Sequence, residues 1–358
     1  MSSATTDNQR PAIATVDLSP FFASEESATN TAQERLAAGS ALVQACHDLG
    51  FVIIKGHGLS KQEIDDAFSW TTKLFDLPFE EKMKAPHPPG NMPHRGYSGI
   101  GKEKVYSAAD LGEQTEDADV AQQLRKISDF KESYEIGSEH DDQQQNIWLP
   151  DDVLPEFRRS MTALYERLAD VAGTILVAFG AGLGCDEDAQ VALMQLSSRR
   201  HSQLRLLHYP PITKHKLQTE MFARLPAHTD WGTFTILLQN NQGGLELRDP
   251  HSGEFLHAAP EEGTLVLNIG DMLQRFTNDY FISALHRVSV PDPEAVPDGG
   301  IAARYSIPFF LAPAPSHVIS TLPQFVTAEA PAKYEPVRFD EYGAIVSKYQ
   351  YQQNEGEE

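Results

Sequence analysis

Near Gln203 the spacing of apolar residues changes from about 3.6 to 2, and few architectures accommodate such a break. Downstream, the runs LRLLHY, TFTILL, LELRD, TLVLNIG, HRVSV and ARYSIPFFL alternate or are continuously apolar. QGG, DPHSG and PDGG separate them as turns. About eight short strands at this spacing predict a closed or double-sheet antiparallel architecture. The expected class is α+β, a double-stranded β-helix or jelly-roll core with flanking N-terminal helices.

Upstream the pattern is mostly helical. Thr31 with Glu34 forms a capping-box pattern ahead of a helix carrying Leu36, Val43, Cys46 and Leu49, and Gly50 is placed to stop it. FVIIKGHG reads as a buried strand ended by glycines, with His57 and Gly58 in its terminal turn. Ser60 with Glu63 repeats the capping box before Ile64, Ala67, Phe68, Leu74 and Phe75. A third helix runs from about Ser160 to Phe179 with Met161, Leu164, Leu168, Val171, Ile175 and Phe179 on one face. The first dozen residues and the terminal NEGEE read as frayed ends. The acidic stretch from about Ser107 to Gln145 reads as a long surface excursion and a candidate lid. The expected organisation is a region of helices plus a strand at 12–125, a linker and long packing helix at 126–200, the jelly-roll core at 201–315, and a C-terminal segment at 316–358 that covers the core or packs on a partner chain.

Charge narrows the partners. With 29 Lys+Arg against 51 Asp+Glu the net charge is −22, and no basic stripe is present, so neither nucleic acid nor an anionic membrane surface is an expected partner. No apolar run approaches the roughly 18 residues that span a bilayer, and the N-terminus lacks the plan of a secretory signal. The two cysteines, Cys46 and Cys185, lie far apart. They offer neither a disulfide framework nor a thiolate zinc site, and a reducing, cytoplasmic location is expected.

Among 13 histidines, two begin an H-x-D pattern. His140-Asp141-Asp142 sits among polar neighbours with no rigid element to aim it, and reads as a solvated acidic loop. His228-Thr229-Asp230 lies where a loop containing Pro226 meets the alternating strand Thr233 to Leu238. Side chains at i and i+2 of a strand share a face, so one imidazole and one carboxylate would project together. His286, opening HRVSV 56 residues after Asp230, is the best third ligand. Two His and one carboxylate on one face of an octahedron leave three positions open for co-substrate and O2. A further 18 residues on, Arg304-Tyr305-Ser306 places guanidinium and hydroxyl on one face and Tyr305 on the other. An arginine facing into an apolar barrel must meet an anion, either a protein acid or a ligand carboxylate. Gly243, Gly244 and Leu245 read as a tight strand start and not a phosphate cradle, since they open no helix.

These residues resemble the Fe(II)- and 2-oxoglutarate-dependent dioxygenases of the isopenicillin N synthase-like superfamily over almost the whole chain. ATVDLSPF, ALVQACHDLGFVIIKGHGLS, LFDLPFEEKMK and HRGYSGIGKE are similar to that family's N-terminal region, DFKESYEIG and QQNIWLPD to its linker. HTDWGTFTILLQNNQGGLEL, NIGDMLQRFTND, SALHRVSV and RYSIPFF look like its catalytic core in order and spacing. The resemblance implies that His228, Asp230 and His286 hold Fe(II), that Arg304 and Ser306 grip the distal carboxylate of 2-oxoglutarate, and that Tyr209 helps hold this co-substrate. By the same analogy Arg95, Tyr97, Arg205, Trp231 and Phe310 line the pocket of a small-molecule substrate. Two departures stand out. Leu207 occupies a position where plant members usually carry Asn, and PDPEAVPDGGIAA is longer than the common form and reads as a surface-loop insertion.

The implied activity couples O2-dependent decarboxylation of 2-oxoglutarate to succinate with hydroxylation, desaturation or rearrangement of a small organic molecule, in the manner of secondary-metabolism and thymine-hydroxylase-like members. Competing readings are an oxidase whose Arg304 and Ser306 grip a substrate carboxylate without 2-oxoglutarate, and a non-catalytic metal-binding jelly roll. A zinc hydrolase would leave the Arg/Ser pair without a purpose.

Overall fold

The computed structural model describes residues 12–23, 32–90, 94–102, 130–219, 224–291, 294 and 296–347. Thr31, both termini and residues 103–129 of the acidic stretch lie outside the described residues. The strands are β1 (Thr15–Asp17), β2 (Phe51–Lys55), β3 (Gly96–Ser98), β4 (Glu132–Ile136), β5 (Gln203–Tyr209), β6 (Leu225–His228) and β7 (Phe234–Gln239). They continue with β8 (Leu245–Arg248), β9 (Phe255–His257), β10 (Leu265–Ile269), β11 (His286–Val288) and β12 (Arg304–Leu311), before a short C-terminal pair.

Two sheets enclose the core cavity. The larger has eight strands in the order β1-β2-β10-β7-β12-β5-β4-β3, and the smaller four, β6-β11-β8-β9. β1 and β2 pair in parallel, and the other ladders of both sheets are antiparallel. Everything from β5 to β12 lies beyond the change of period, as expected of a jelly roll. The helical half contributes β1 to β4, which extend the larger sheet on both sides.

One expectation is corrected. Residues 131–138, read as part of a surface excursion, are buried, and β4 pairs with both β5 and β3. Its two glutamates meet cations and donors from other elements, which hides the strand from a hydropathy pattern. Glu132 accepts hydrogen bonds from Lys82 Nζ at 2.8 Å, Tyr97 OH at 2.5 Å and His208 Nδ1 at 2.6 Å. Burial would push the Glu132 carboxyl up, but these donors together hold it below its ordinary value.

The long helix Phe157–Leu183 buries Met161, Leu164, Leu168, Val171, Ile175 and Phe179, the face that the sequence pattern marked. It covers the outer surface of the larger sheet, with Tyr165 and Phe179 against Phe309 and Phe234 at ring separations of 5.2 and 6.0 Å. Helix Ala32–Leu49 crosses it closely: a Cβ on Gly39 would stand 2.7 Å from the Ala178 carbonyl oxygen. Leu36, expected in that core, is 53% exposed, because residues 32–37 form an exposed first turn and a half. The Ser60 and Glu63 capping box is formed, and Gly50 ends its helix at φ +67°. Among the described residues no helix is long and apolar enough to cross a membrane.

Candidate metal and co-substrate site

The smaller sheet sets the first cluster. His286 on β11 and His228 at the end of β6 are direct register partners. Asp230 lies past the strand end, in the turn toward β7, so the expected i, i+2 strand geometry is not what brings it in. Backbone hydrogen bonds do this: Asp271 N donates to Asp230 O at 2.8 Å, and Met272 N to Gly232 O at 3.0 Å. The start of the helix Asp271–Phe276 thus clamps the turn. Asp230 Oδ1 then stands 3.8 Å from both His228 Nε2 and His286 Nε2.

The donor chemistry fits a divalent metal. Nδ1 of His228 faces the Pro226 carbonyl at 2.9 Å, and Nδ1 of His286 faces the Ala284 carbonyl at 3.0 Å. A carbonyl only accepts, so each Nδ1 carries the proton and each Nε2 presents a lone pair toward Asp230. Asp230 Oδ2 accepts from Thr235 Oγ1 at 2.5 Å and Asn268 Nδ2 at 2.7 Å, which directs Oδ1 to the imidazoles. Burial raises the Asp230 carboxyl, yet positive charge facing it from the imidazole side, with these two hydrogen bonds, brings it below its ordinary value. Asn268 was legible as the one amide in the apolar run TLVLNIG, although no role was read from it.

The larger sheet supplies the opposite wall. On β12, Arg304, Ser306, Pro308 and Phe310 line the cavity at period 2, while Tyr305 faces the other way and stacks on His208 at 4.7 Å. On β5, Arg205, Leu207 and Tyr209 do the same, with Tyr209 the register partner of Arg304. Arg304 is 1% exposed. Its Nε donates to Gly243 O at 2.9 Å, Nη1 to Ser306 Oγ at 2.9 Å and Nη2 to Gln239 Oε1 at 3.3 Å. Burial draws its pKa below the ordinary value, against the opposing effect of Tyr209. No protein carboxylate forms an ion pair with it among the described residues.

The cavity between the sheets is about 570 Å³, within the usual range for small-molecule sites. Arg95, Arg205, Trp231 and Phe310 line it; Tyr97 does not, because its hydroxyl is directed to Glu132 between β3 and β4. Arg95 Nη2 pairs with Asp141 Oδ2 at 2.7 Å, and Arg205 pairs with Glu135 at 2.8 Å while lying 5.7 Å from the Phe310 ring centroid. Sequence reading missed Gln143 and Gln144; the helix Phe339–Ser347, in the C-terminal segment whose role the sequence left open, lines the cavity through Phe339 and Val346.

Among the described residues two other groupings have metal-ligand composition: His87, His94 and Glu135; and Asp141, Asp142 and His201. Glu135 already faces the Arg205 guanidinium, and Asp141 faces Arg95 and the backbone N–H groups of Gln143 and Gln144. The loop around His140 is therefore a turn organised by Asp141. Gly243 and Gly244 adopt φ +64° and +91° just before β8, as a tight strand start requires. In the loop before β12, Val296 and Ile301 pack with Ile212 and Leu217, so this insertion carries its own small apolar cluster; residues 292, 293 and 295 lie outside the described residues.

Comparison with known proteins agrees with this geometry. Residues 13–156 match the family model of the N-terminal region of the non-haem dioxygenases in morphine synthesis, and residues 200–313 match that of the 2OG-Fe(II) oxygenase superfamily. A proline hydroxylase of Petromyces alliaceus is 36% identical over 82% of this chain and 86% of its own length. A 2-oxoglutarate-dependent dioxygenase of Aspergillus rugulosus is 34% identical over 96% of this chain and 97% of its own. Among solved structures, a full-length Neurospora crassa protein in complex with alpha-KG and thymine superposes with a TM-score of 0.78 at 29% identity, covering 94% of this chain and 96% of that one. The two core sheets, the His/Asp/His cluster and these matches lead to one assignment: the chain belongs to the 2OG-Fe(II) oxygenase superfamily and is an Fe(II)- and 2-oxoglutarate-dependent dioxygenase.

Proposed function

We propose that His228, Asp230 and His286 hold the iron, that Arg304, Ser306 and Tyr209 hold the distal end of 2-oxoglutarate, and that a compact polar molecule is oxidised between Trp231 and Phe310. The observation that carries this reading is the buried Arg304 guanidinium, with no carboxylate partner among the described residues, in the same cavity as two Nε2 atoms and one Oδ1 that converge. When bound, iron with 2-oxoglutarate and O2 supplies the oxidising power for attack on a carbon–hydrogen bond.

The protein's own work is positioning. Asp230 and the two histidines present three donors on one side, which leaves the cavity side for the co-substrate and O2. Arg304 and Ser306 fix one end of a dicarboxylate, and the distance to the triad selects an acid with a second acidic group of suitable reach. Gln143, Gln144, Lys131 and the Glu135-paired Arg205 add polar groups to the cavity lining, and the helix Phe339–Ser347 lines it from the C-terminal side. Thymine, named with the Neurospora crassa structure, and proline, named in the hydroxylase relative, are both compact ring molecules, and a substrate of that size suits these walls. Along the chain, we assign 12–125 as the N-terminal dioxygenase region, 126–200 as linker and packing helix, 201–315 as the catalytic core and 316–358 as its cover. Two unpaired cysteines, Cys46 being buried, support a reducing, cytoplasmic location.

The test is anaerobic loading with Fe(II) followed by 2-oxoglutarate, recorded by visible spectroscopy. A metal-to-oxo-acid charge-transfer band in the wild type that vanishes in Asp230→Ala supports both assignments. Iron binding without a band would redirect Arg304 and Ser306 to a substrate carboxylate, and absence of iron binding would sink the triad.

A further inference from the structure

A second buried guanidinium lies behind the cavity wall, on the Tyr209 ring that lines it. Arg224, just before β6, is 2% exposed. Its Nη2 donates to Ala302 O at 3.2 Å, and its Nε is buried with no hydrogen-bond partner. Arg224 and Arg304 both pack toward the Tyr209 ring, their guanidinium carbons 6.0 and 5.0 Å from its centroid. Both also approach the same glycine turn. Arg304 Nε bonds the Gly243 carbonyl, and Arg224 Nη1 would stand 3.9 Å from a Cβ at Gly244. Among the described residues neither guanidinium forms an ion pair with a carboxylate.

Two buried cations with no carboxylate counter-charge among the described residues are costly alone and repel each other. The Arg224 pKa is drawn down to about 10, first by burial and then by Arg304. A packing role for a long side chain needs no charge here, and a methionine would fill the space without the repulsion. What the pair suits is an anion delivered next to Tyr209, because the field of the second cation adds to the grip of the first.

We propose that Arg224 is a positioning residue for the co-substrate, adding positive potential at the distal carboxylate held by Arg304, and so selecting dicarboxylic over monocarboxylic 2-oxo acids. This rests on the assignment of Arg304 to 2-oxoglutarate. Arg304 alone supplies the directional bonds. Arg224 acts through charge, so its contribution is largest for a ligand with a distal negative charge and small for one without it.

The experiment compares the equilibrium affinity of the Fe(II)-loaded, O2-free enzyme for 2-oxoglutarate and for 2-oxopentanoate, which has the same chain length but no distal carboxylate. Calorimetry is applied to wild type, Arg224→Gln and Arg224→Lys. Loss of the charge is expected to weaken 2-oxoglutarate about tenfold and to leave 2-oxopentanoate within about twofold. The lysine variant, which keeps the charge, is expected to retain most of the preference. Arg224→Met provides a second neutral variant if the glutamine protein does not fold, and its metal-free form is expected to melt no lower than wild type. Equal weakening of both acids, or no weakening, would overturn the proposal. A wild type that binds no 2-oxoglutarate would overturn the assignment of Arg304 instead, so the two failures are separable.

Discussion

His228 and His286 face each other directly across the β6–β11 ladder, their ring centroids 4.3 Å apart. The register of one short antiparallel pair therefore fixes the separation of two donors that are 58 residues apart in sequence. The third donor depends on different contacts, since Asp230 is held by Thr235 and Asn268.

With His228, Asp230 and His286 as the proposed ligands, Asn268 is expected to control metal affinity without being one of them. Asn268→Leu removes one of the two hydrogen bonds that orient the Asp230 carboxylate, and Fe(II) affinity is expected to fall about 10- to 100-fold. Competition with a chromophoric chelator measures this, with circular dichroism as the check on folding. Unchanged affinity would mean that Thr235 alone suffices.

On the proposed assignment of Arg304 to 2-oxoglutarate, Arg304→Met removes the cation that the co-substrate carboxylate would meet in the buried pocket. Truncating one partner of a buried charge pair costs about 2–5 kcal/mol, so the KM for 2-oxoglutarate should rise at least about 30-fold. Ser306→Ala removes a single hydrogen bond, with an expected effect of about fivefold. Equal effects of the two variants would contradict the division of roles.

The β12 wall was legible because period 2 alone places Arg304, Ser306, Pro308 and Phe310 on one face. The pairing of His228 with His286 was legible as a combination of residues, but Asp230 reaches the cluster through a backbone clamp that no local pattern encodes. β4 was hidden because Glu132 and Glu135 look solvated until their partners, separated by dozens of residues, are brought to them. The same contact with Glu132 takes Tyr97 away from the cavity. Arg224 gave no signal, since a sequence does not distinguish a buried arginine from an exposed one.

Gly270 tests the clamp. A Cβ there would stand 2.3 Å from Gly232 O and 3.1 Å from Asp230 O, both backbone atoms, so Gly270→Ala must displace the turn that carries Asp230. The expected cost is about 1–3 kcal/mol in urea unfolding, with weaker iron retention on desalting. Gly173 in the long helix is the contrast, because nothing lies within 4 Å of a Cβ placed there. Gly173→Ala should stabilise by about 0.5–1 kcal/mol and leave iron retention unchanged. If both variants behaved alike, the clamp would not control the metal turn.

The buried cluster around Glu132 has a predictable pH signature. Burial opposes its ionisation, but the donors His208, Lys82 and Tyr97 outweigh this, and the folded-state pKa lies below the ordinary 4.5. A depressed carboxylate contributes stability that is complete above the unfolded-state value and is lost as the pH falls through the folded-state value. Glu132→Gln removes this contribution and leaves Lys82, whose side chain is 9% exposed, without its carboxylate partner. At pH 7 the variant should be about 3–5 kcal/mol less stable than wild type. The gap should narrow as the pH drops below about 4.5, because only wild type then has this carboxylate to protonate. Urea unfolding of both proteins from pH 7 to pH 3 gives the difference curve, in which the other carboxylates cancel. A gap of constant size across that range would show that hydrogen bonding without charge holds β4 in the sheet.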